Sequence, residues 1–238
     1  MFKDASFLSN AVTTIETATS ALTSNFQLVI AEDGSNSSEI IVPLKTKFNN
    51  VTHIQHDERL GRGRALREAW AEVHGDLYLY VDVDMASDLE RYDAYKNLIK
   101  LQQQYDLVTG SRYLPKSVTK RPLMRRLASV AYNWLVRTVF GTRVYDHQCG
   151  FKSFSKRLVQ TLSEKAKSDS WFWDTEVIVI AKKMGYTIKE IPIHWTEKKG
   201  KKTPLRRLAK DVWLHGVGFL VLAGRVYIRR DFVRSDQV

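Results

Sequence analysis

Short apolar segments that alternate with helical periodicity restrict the fold of this chain more than any other feature. Residues 26–31 and 77–83 are apolar runs of strand length that lead into acidic residues, and a third run at 106–109 stops at Gly110. Between the first two, residues 61–73 carry apolar side chains at helical spacing. This alternation predicts an α/β fold with a mostly parallel sheet flanked by helices, in which ligands bind beyond the carboxyl ends of the strands.

We predict a single domain over residues 1–238, because no internal repeat and no Gly/Ser-rich or Pro-rich linker divides the chain. A hydrophobic content of 44% with 12 Gly and 5 Pro excludes disordered and low-complexity classes. The lone Cys149 excludes an internal disulfide and a cysteine-based zinc site, and it suits a reducing compartment. Since residues 1–4 show no apolar run of signal-peptide type, we expect a cytoplasmic active face.

Charge separates the chain into two halves. Residues 1–110 contain 10 basic and 16 acidic side chains, a net charge of −6, whereas residues 111–238 contain 27 and 10, a net charge of +17. A basic half of this size favours a polyanion, a phosphorylated substrate or an anionic membrane surface as its partner. Charge alone does not choose among the three.

Two basic segments of the second half predict contact with a membrane. Residues 121–140 place apolar side chains at helical spacing among arginines, and residues 212–228 form an apolar run flanked by Arg and Lys. The second segment falls short of the roughly 20 apolar residues that span a bilayer, so we expect amphipathic helices at the interface. Packing of both helices against the sheet, with solvated basic faces, stays open as the alternative.

Paired carboxylates follow the second apolar run. Asp82 and Asp84 lie two residues apart on an extended segment, so their side chains are expected to point the same way. Two hard oxygen donors suit a Mg²⁺ or Mn²⁺ ion that bridges a diphosphate. A solvated acidic turn has the same pattern, and the interpretation therefore depends on the other motifs.

Further motifs accompany this pair in a fixed order along the chain. They occupy residues 32–35, 59–65, 110–112, 126–133, 146–152, 171–176 and 188–195. The ordered set resembles the nucleotide-sugar glycosyltransferases of family 2, which have the GT-A fold, over about residues 5–215. Its second half is similar to the polyprenyl-phosphate branch, the dolichyl-phosphate glucose and mannose synthases, and the 146–152 and 171–176 runs look closer to the glucose type.

The resemblance implies inverting transfer of a hexose from UDP-glucose or GDP-mannose to a dolichyl or polyprenyl phosphate. The enzyme would lie peripherally at the cytoplasmic face of the cell or endoplasmic reticulum membrane. Residues 1–110 would hold the nucleotide and Mg²⁺ or Mn²⁺, and residues 111–238 would face the acceptor and the membrane. The metal ligands would be Asp82 and Asp84. The implied donor-binding residues are Asp33, Gly34, Arg62, Asp82, Asp84 and Lys201.

The acceptor side is assigned by the same resemblance. The implied acceptor-binding residues are Arg112, Arg126, Ser129, Asp146, Gln148 and Glu176, and the implied catalytic residues are Asp84, Arg112 and Asp174. Guanidinium groups suit a bidentate grip on phosphate. Because the acceptor phosphate is already an anion, it needs no general base, and catalysis can rest on positioning and electrostatics.

The chain departs from the family pattern in one place. Family members usually begin with an apolar strand whose Pro, aromatic and acidic residues help to bind the base. Residues 1–15 look like the helix that follows this strand, so the matched set lacks the first strand.

Two alternatives stay open beside this interpretation. One is a membrane-associated protein that keeps the glycosyltransferase fold without turnover, and the other is a glycosyltransferase that acts on a sugar hydroxyl of a glycolipid. A nucleic-acid-binding module would fit the basic half, but it leaves the acidic strand ends unexplained. We therefore predict no nucleic acid partner.

Overall fold

Parallel strand pairs are present in each of the three sheets that the described residues form. The computed structural model describes residues 5–84, 94–196 and 205–232. The strands are β1 (Leu28–Asp33), β2 (Val51–His56), β3 (Leu77–Val81), β4 (Leu107–Ser111), β5 (Val118–Lys120), β6 (Phe151–Ser155), β7 (Ile188–Pro192) and β8 (His194–Thr196). β1 pairs with β2, and β5 pairs with β8, both in parallel. The central sheet has the order β3-β6-β4-β7.

Helices connect these strands and cover the sheets. They are α1 (Ala5–Ser20), α2 (Ser38–Lys47), α3 (Arg62–Glu72), α4 (Ala94–Gln102), α5 (Leu123–Phe140), α6 (Lys156–Lys165), α7 (Trp173–Lys183) and α8 (Leu205–Ala223). A short π-helical segment, Gly224–Ile228, extends α8. The α/β class predicted from the sequence is confirmed. Within the central sheet, β6 runs antiparallel to both of its neighbours, which the alternation of apolar segments does not predict.

The main hydrophobic core surrounds α7, whose residues 177–181 are completely buried. This segment of α7 is apolar on all sides because it lies between the sheet and other helices rather than at the surface. Trp173 in its first turn packs against Trp70 of α3, with ring centroids 5.4 Å apart, and against Phe154 of β6 at 6.1 Å. The first turn of α7 is therefore held rigidly next to α3 and the central sheet.

Helix α1 joins the two larger sheets. Its residues Leu8 and Val12 pack in a cluster with Ile30 of β1, whereas Ile15 contacts the cluster that contains Phe151 of β6. No backbone ladder connects β1 to β3 among the described residues. The carboxyl ends of β1 and β3 are instead brought together by side chains and by the start of α3.

Helices α5 and α8 pack against each other and leave an apolar surface uncovered. Phe140 and Phe219 have ring centroids 5.0 Å apart, and Tyr132 lies 5.7 Å from His215. The exposed apolar face consists of Leu123, Met124, Leu127, Val130, Trp134 and Leu135 on α5, and of Val212, Trp213, Val217, Leu220 and Val221 on α8. By length and composition, Asp211–Ile228 meets the minimum for a membrane-crossing helix, which is more than the sequence analysis expected of this segment.

Candidate active site

The carboxyl end of β1 fixes the loop that opens α3. Asp33 is buried, and its carboxylate accepts hydrogen bonds from the backbone N–H of Leu60 at 2.5 Å and of Gly61 at 3.1 Å. Gly61 has a φ of +94°, and a Cβ at this position would lie 2.3 Å from the carbonyl oxygen of Asp169. Only glycine fits there without strain. Asp33 and the neighbouring Gly34 thus border this loop, and their donor-binding role stays a prediction.

Arg62 connects the carboxyl end of β3 with the first turn of α7. Its Nη2 donates to Asp82 at 2.5 Å, its Nη1 donates to Asp174 at 2.8 Å, and the guanidinium lies 3.6 Å from the ring centroid of Trp171. Burial of Arg62 opposes its charge, but the attraction of Asp82 and Asp174 prevails and raises its pKa. The site therefore contains a permanently charged cation between two carboxylates.

Asp82 lies directly against the backbone of Gly150. Its N–H donates to the Gly150 carbonyl at 2.9 Å, and a Cβ on Gly150 would come within 1.8 Å of the Asp82 carboxylate. Burial raises the pKa of Asp82 to about 6, with further repulsion from Asp174 and Asp84 and with opposition from Arg62. Three carboxylates thus lie close enough to influence one another, and they include both predicted metal ligands.

Lys152 forms one cluster with Arg62, Asp82 and Asp174, although no role was predicted for it from the sequence. Its ammonium group is fully buried and donates to Asp174 at 2.7 Å and to the Cys149 carbonyl. Asp174 thereby accepts one hydrogen bond on each carboxylate oxygen, from Lys152 and from Arg62. Lys152 belongs to the 146–152 motif, but only the pairing of β6 with its neighbours brings it to α7.

Arg112 and Asp146 form a second buried ion pair. The guanidinium donates through Nε and Nη2 to the two carboxylate oxygens, both at 2.7 Å, and the backbone N–H of Arg112 adds a third bond. Burial alone would raise the pKa of Asp146, yet Arg112 lowers it. Cys149 is buried between this pair and the first cluster, and burial raises the pKa of its thiol to about 12.

Among the remaining predicted acceptor residues, Gln148 contacts this pair through its backbone N–H, which donates to Asp146 at 3.3 Å. The others do not form one group with Arg112 and Asp146. Glu176 accepts hydrogen bonds from the backbone N–H of Lys167 and Ser168, and from Arg225 at 2.6 Å. Arg126 is exposed on α5, and the Ser129 hydroxyl accepts a hydrogen bond from Arg121. Lys201 lies outside the described residues.

The side chain of Gln148 lines a cavity of about 160 Å³, next to the cluster formed by Arg62, Asp82, Lys152 and Asp174. The other lining residues are Trp171, Asp174, Asp211 and His215. Gln148 Nε2 lies 2.5 Å from His215 Nε2, and His215 Nδ1 donates to the Asp211 carbonyl at 2.7 Å. Asp211 and His215 were not predicted from the sequence, because the C-terminal segment was interpreted through its apolar side chains alone.

Comparison with known proteins gives a family match and named relatives. The profile of glycosyl transferase family 2 matches residues 7–163. The glycosyltransferase AglD of Haloferax volcanii is 37% identical over 210 residues, which cover 87% of this chain and 34% of that protein. The dolichyl-phosphate beta-glucosyltransferase of Saccharomyces cerevisiae is 28% identical over 222 residues, covering 83% and 66%. The chain thus spans about a third of AglD and about two thirds of the yeast relative.

Solved structures show the same architecture. Glucosyl-3-phosphoglycerate synthase from Mycobacterium tuberculosis, in complex with Mn²⁺, UDP and glucosyl-3-phosphoglycerate, superposes with a TM-score of 0.68 at 16% identity. The match covers 94% of this chain and 77% of that protein. The same enzyme with Mn²⁺ and UDP-glucose gives a TM-score of 0.68 at 13% identity, with coverage of 94% and 77%. The predicted GT-A fold is confirmed.

The family match extends over more than half of the chain and includes β1, α3, β3, β4 and β6, which carry most of the site. It agrees with the GT-A architecture and with the carboxylates gathered at the ends of the strands. The chain belongs to glycosyl transferase family 2.

Proposed function

We propose that this protein is an inverting hexosyltransferase that moves a hexose from a nucleotide diphosphate sugar to a dolichyl or polyprenyl phosphate. The relatives named dolichyl-phosphate beta-glucosyltransferase favour UDP-glucose as the donor over GDP-mannose. One structural observation carries the proposal. Asp82 lies at the end of β3 beside Asp84 and Asp174, and Arg62 contacts it, so that charges of both signs surround one point.

The carboxylates fit a divalent cation. Burial and the mutual repulsion of Asp82, Asp84 and Asp174 raise the pKa of Asp82, and a cation would relieve this repulsion. No group of three His, Cys, Asp or Glu side chains suited to a metal occurs among the described residues. Asp82 and Asp84 would therefore hold Mg²⁺ or Mn²⁺ together with oxygens of the donor diphosphate. When bound, the ion supplies Lewis-acid stabilisation of the departing nucleotide.

The described side chains contribute positioning rather than proton transfer. Asp174 is 1% exposed, and both of its oxygens already accept hydrogen bonds from cations, so it serves to orient Arg62. Arg62 in turn supplies positive charge next to Asp82, where the negative charge of a departing diphosphate would develop. Asp146 orients Arg112 by accepting hydrogen bonds from its Nε and Nη2 atoms, and Arg112 Nη1 forms no hydrogen bond with this carboxylate. A phosphate acceptor requires no base from the protein.

The exposed apolar face of α5 and α8 supports a peripheral position on a membrane, where a polyprenyl phosphate is available. Arginines at both ends of this face would interact with anionic headgroups. We place this surface on the cytoplasmic leaflet of the cell or endoplasmic reticulum membrane, in keeping with an unpaired Cys149.

Transfer of label tests the proposal directly. The full chain in detergent is incubated with labelled UDP-glucose or GDP-mannose, a polyprenyl phosphate, and Mg²⁺, Mn²⁺ or a chelator. We expect chelator-sensitive formation of a glycosylated lipid, and a loss of at least about 100-fold in Asp82→Asn and Asp84→Asn. Asp76→Asn is the matched control, because Asp76 is a fully exposed carboxylate outside the site.

The alternatives predict other results. Transfer to a glycolipid hydroxyl but not to the lipid phosphate would replace the proposed acceptor. Membrane binding without transfer from either donor would favour the non-catalytic protein.

A further inference from the structure

We infer that the cavity lined by Gln148, Trp171, Asp174, Asp211 and His215 holds the hexose ring of the donor, and that α8 supplies two of its sugar-binding residues. This inference rests on the proposed function, since it assumes a nucleotide sugar as donor. It adds Asp211 and His215, which neither the motifs nor the family match include.

The cavity lies next to the residues proposed to hold the diphosphate. In a nucleotide diphosphate sugar the hexose is bonded directly to the distal phosphate, so it must lie next to the residues that hold the diphosphate. Asp174 lines the cavity and is joined to Asp82 through one side chain, Arg62. A volume of about 160 Å³ is below the roughly 300–1,000 Å³ of pockets for drug-sized ligands, so it suits one ring rather than a whole nucleotide sugar.

The cavity is lined mainly by polar side chains. Two carboxylates, an amide, an imidazole and an indole surround the space, and no lysine or arginine is among them. The Asp211 carboxylate would repel an anionic phosphate, whereas the hydroxyl groups of a neutral ring would find acceptors in Asp211 and in Gln148 Oε1. The Trp171 ring adds an apolar plane of the kind that accommodates C–H groups. The lining therefore favours a sugar over a phosphate.

Two acceptor groups of the lining, the Asp211 carboxylate and Gln148 Oε1, are available to a ligand. Among the residues that the structure describes, none forms a hydrogen bond or an ion pair with the Asp211 carboxylate. Gln148 uses its Nε2 on His215, and its Oε1 stays available as an acceptor. His215 is held by the Asp211 carbonyl and lies edge-on to Tyr132 and Phe172. Its ring is thus fixed in orientation before any ligand enters.

Binding measurements on the full chain in detergent with Mn²⁺ separate the sugar from the nucleotide. Calorimetry gives the affinities for UDP and UDP-glucose, and for GDP and GDP-mannose. We expect Asp211→Asn to weaken the nucleotide sugar at least about 10-fold through a lost hydrogen bond to a sugar hydroxyl, and His215→Ala to do the same because Gln148 loses the side chain that orients it. Both variants should change the affinity for the free nucleotide less than twofold. Asp76→Asn is the control, because Asp76 is a fully exposed carboxylate that lines no part of the cavity.

The ratio of the two affinities decides the inference. Unchanged ratios in both variants, with normal nucleotide binding, would overturn the sugar site and leave the proposed function intact. If the unaltered chain bound neither nucleotide nor nucleotide sugar, the proposed function would fail and the sugar site with it. An equal loss for nucleotide and nucleotide sugar would also overturn the inference, because it would indicate a general structural effect.

Discussion

Arg62 shows how far single residues can be predicted from the sequence of this protein. The motif at residues 59–65 indicated that Arg62 belongs to the donor side, and the structure brings it to Asp82. Its contacts with Asp174 and Trp171 join residues more than 100 positions apart. No local pattern encodes such a contact, because it depends on how α3 packs against α7.

Lys152 and His215 were missed for related reasons. Lys152 occupies a strand and is neutralised by a carboxylate on a helix, so its environment is visible only in the folded chain. His215 lies in a segment whose apolar side chains dominate the pattern. Both residues lie where the sequence pattern gives no separate signal for a polar contact.

Gly150→Ala tests the close approach of Asp82 to the backbone. A methyl group at this position would overlap the Asp82 carboxylate, so the side chain or the strand must move. We expect hexosyl transfer to fall at least tenfold and the protein to lose about 1–3 kcal/mol of stability through overpacking. Transfer assays and urea unfolding measure the two effects.

Gly224→Ala is the matched control for this substitution. A Cβ on Gly224 would meet nothing within 4 Å, and its backbone lies in a helical segment. We expect this variant to keep both activity and stability. Full activity of Gly150→Ala would contradict the proposed role of the carboxylate at this position.

At the scale of elements, the sequence predicted existence better than bounds and pairing. The helix expected over 61–73 is α3, and the strand expected over 77–83 is β3, which ends at Val81. Helix α7 begins at Trp173, inside the motif at residues 171–176. The antiparallel direction of β6 was not predicted, because strand pairing depends on residues distant in the sequence.

The apolar face of α5 and α8 gives a prediction at the same scale. Trp213 and Leu220 are each 71% exposed on α8, and their removal from water would stabilise a membrane-bound state by roughly 1.5–3 kcal/mol per side chain. We expect the double change Trp213→Ala and Leu220→Ser to reduce binding to vesicles of anionic and neutral phospholipid at least tenfold. Co-sedimentation measures the binding.

Val42→Ser controls for a general loss of surface hydrophobicity. Val42 is 61% exposed on α2, outside the apolar face. This variant should bind vesicles as the unaltered chain does. Equal binding by the double variant would mean that α5 and α8 pack against something other than lipid.

At the scale of the whole molecule, charge sets the stability in acid. Asp106 precedes β4 and accepts hydrogen bonds from Arg157, Ser155 and Thr187, which connects β4 with the start of α6 and with β7. Burial opposes its charge, but these donors prevail and lower the pKa of Asp106 to about 2, against 3.8 ordinarily. The folded state therefore gains stability above pH 4, and this gain is lost as the pH falls towards 2.

Asp106→Asn should remove this pH dependence. We expect the difference in unfolding free energy between the unaltered chain and Asp106→Asn to decrease by about 2 kcal/mol between pH 5 and pH 2. Urea unfolding at several pH values measures it, with Asp76→Asn as the exposed control. A difference that stays constant with pH would show that the Asp106 carboxylate is not preferentially ionised in the folded state.

Helix α8 takes part in two surfaces at once, since it carries exposed apolar side chains and also lines the cavity with Asp211 and His215. Under the proposed function, a lipid bilayer and a hexose would both favour the same position of this helix against the rest of the protein. Thermodynamic reciprocity then requires that the factor by which a bilayer tightens donor binding equals the factor by which the donor tightens adsorption. Such an enzyme would act as a coincidence detector, retaining its soluble donor most firmly where the second substrate is within reach.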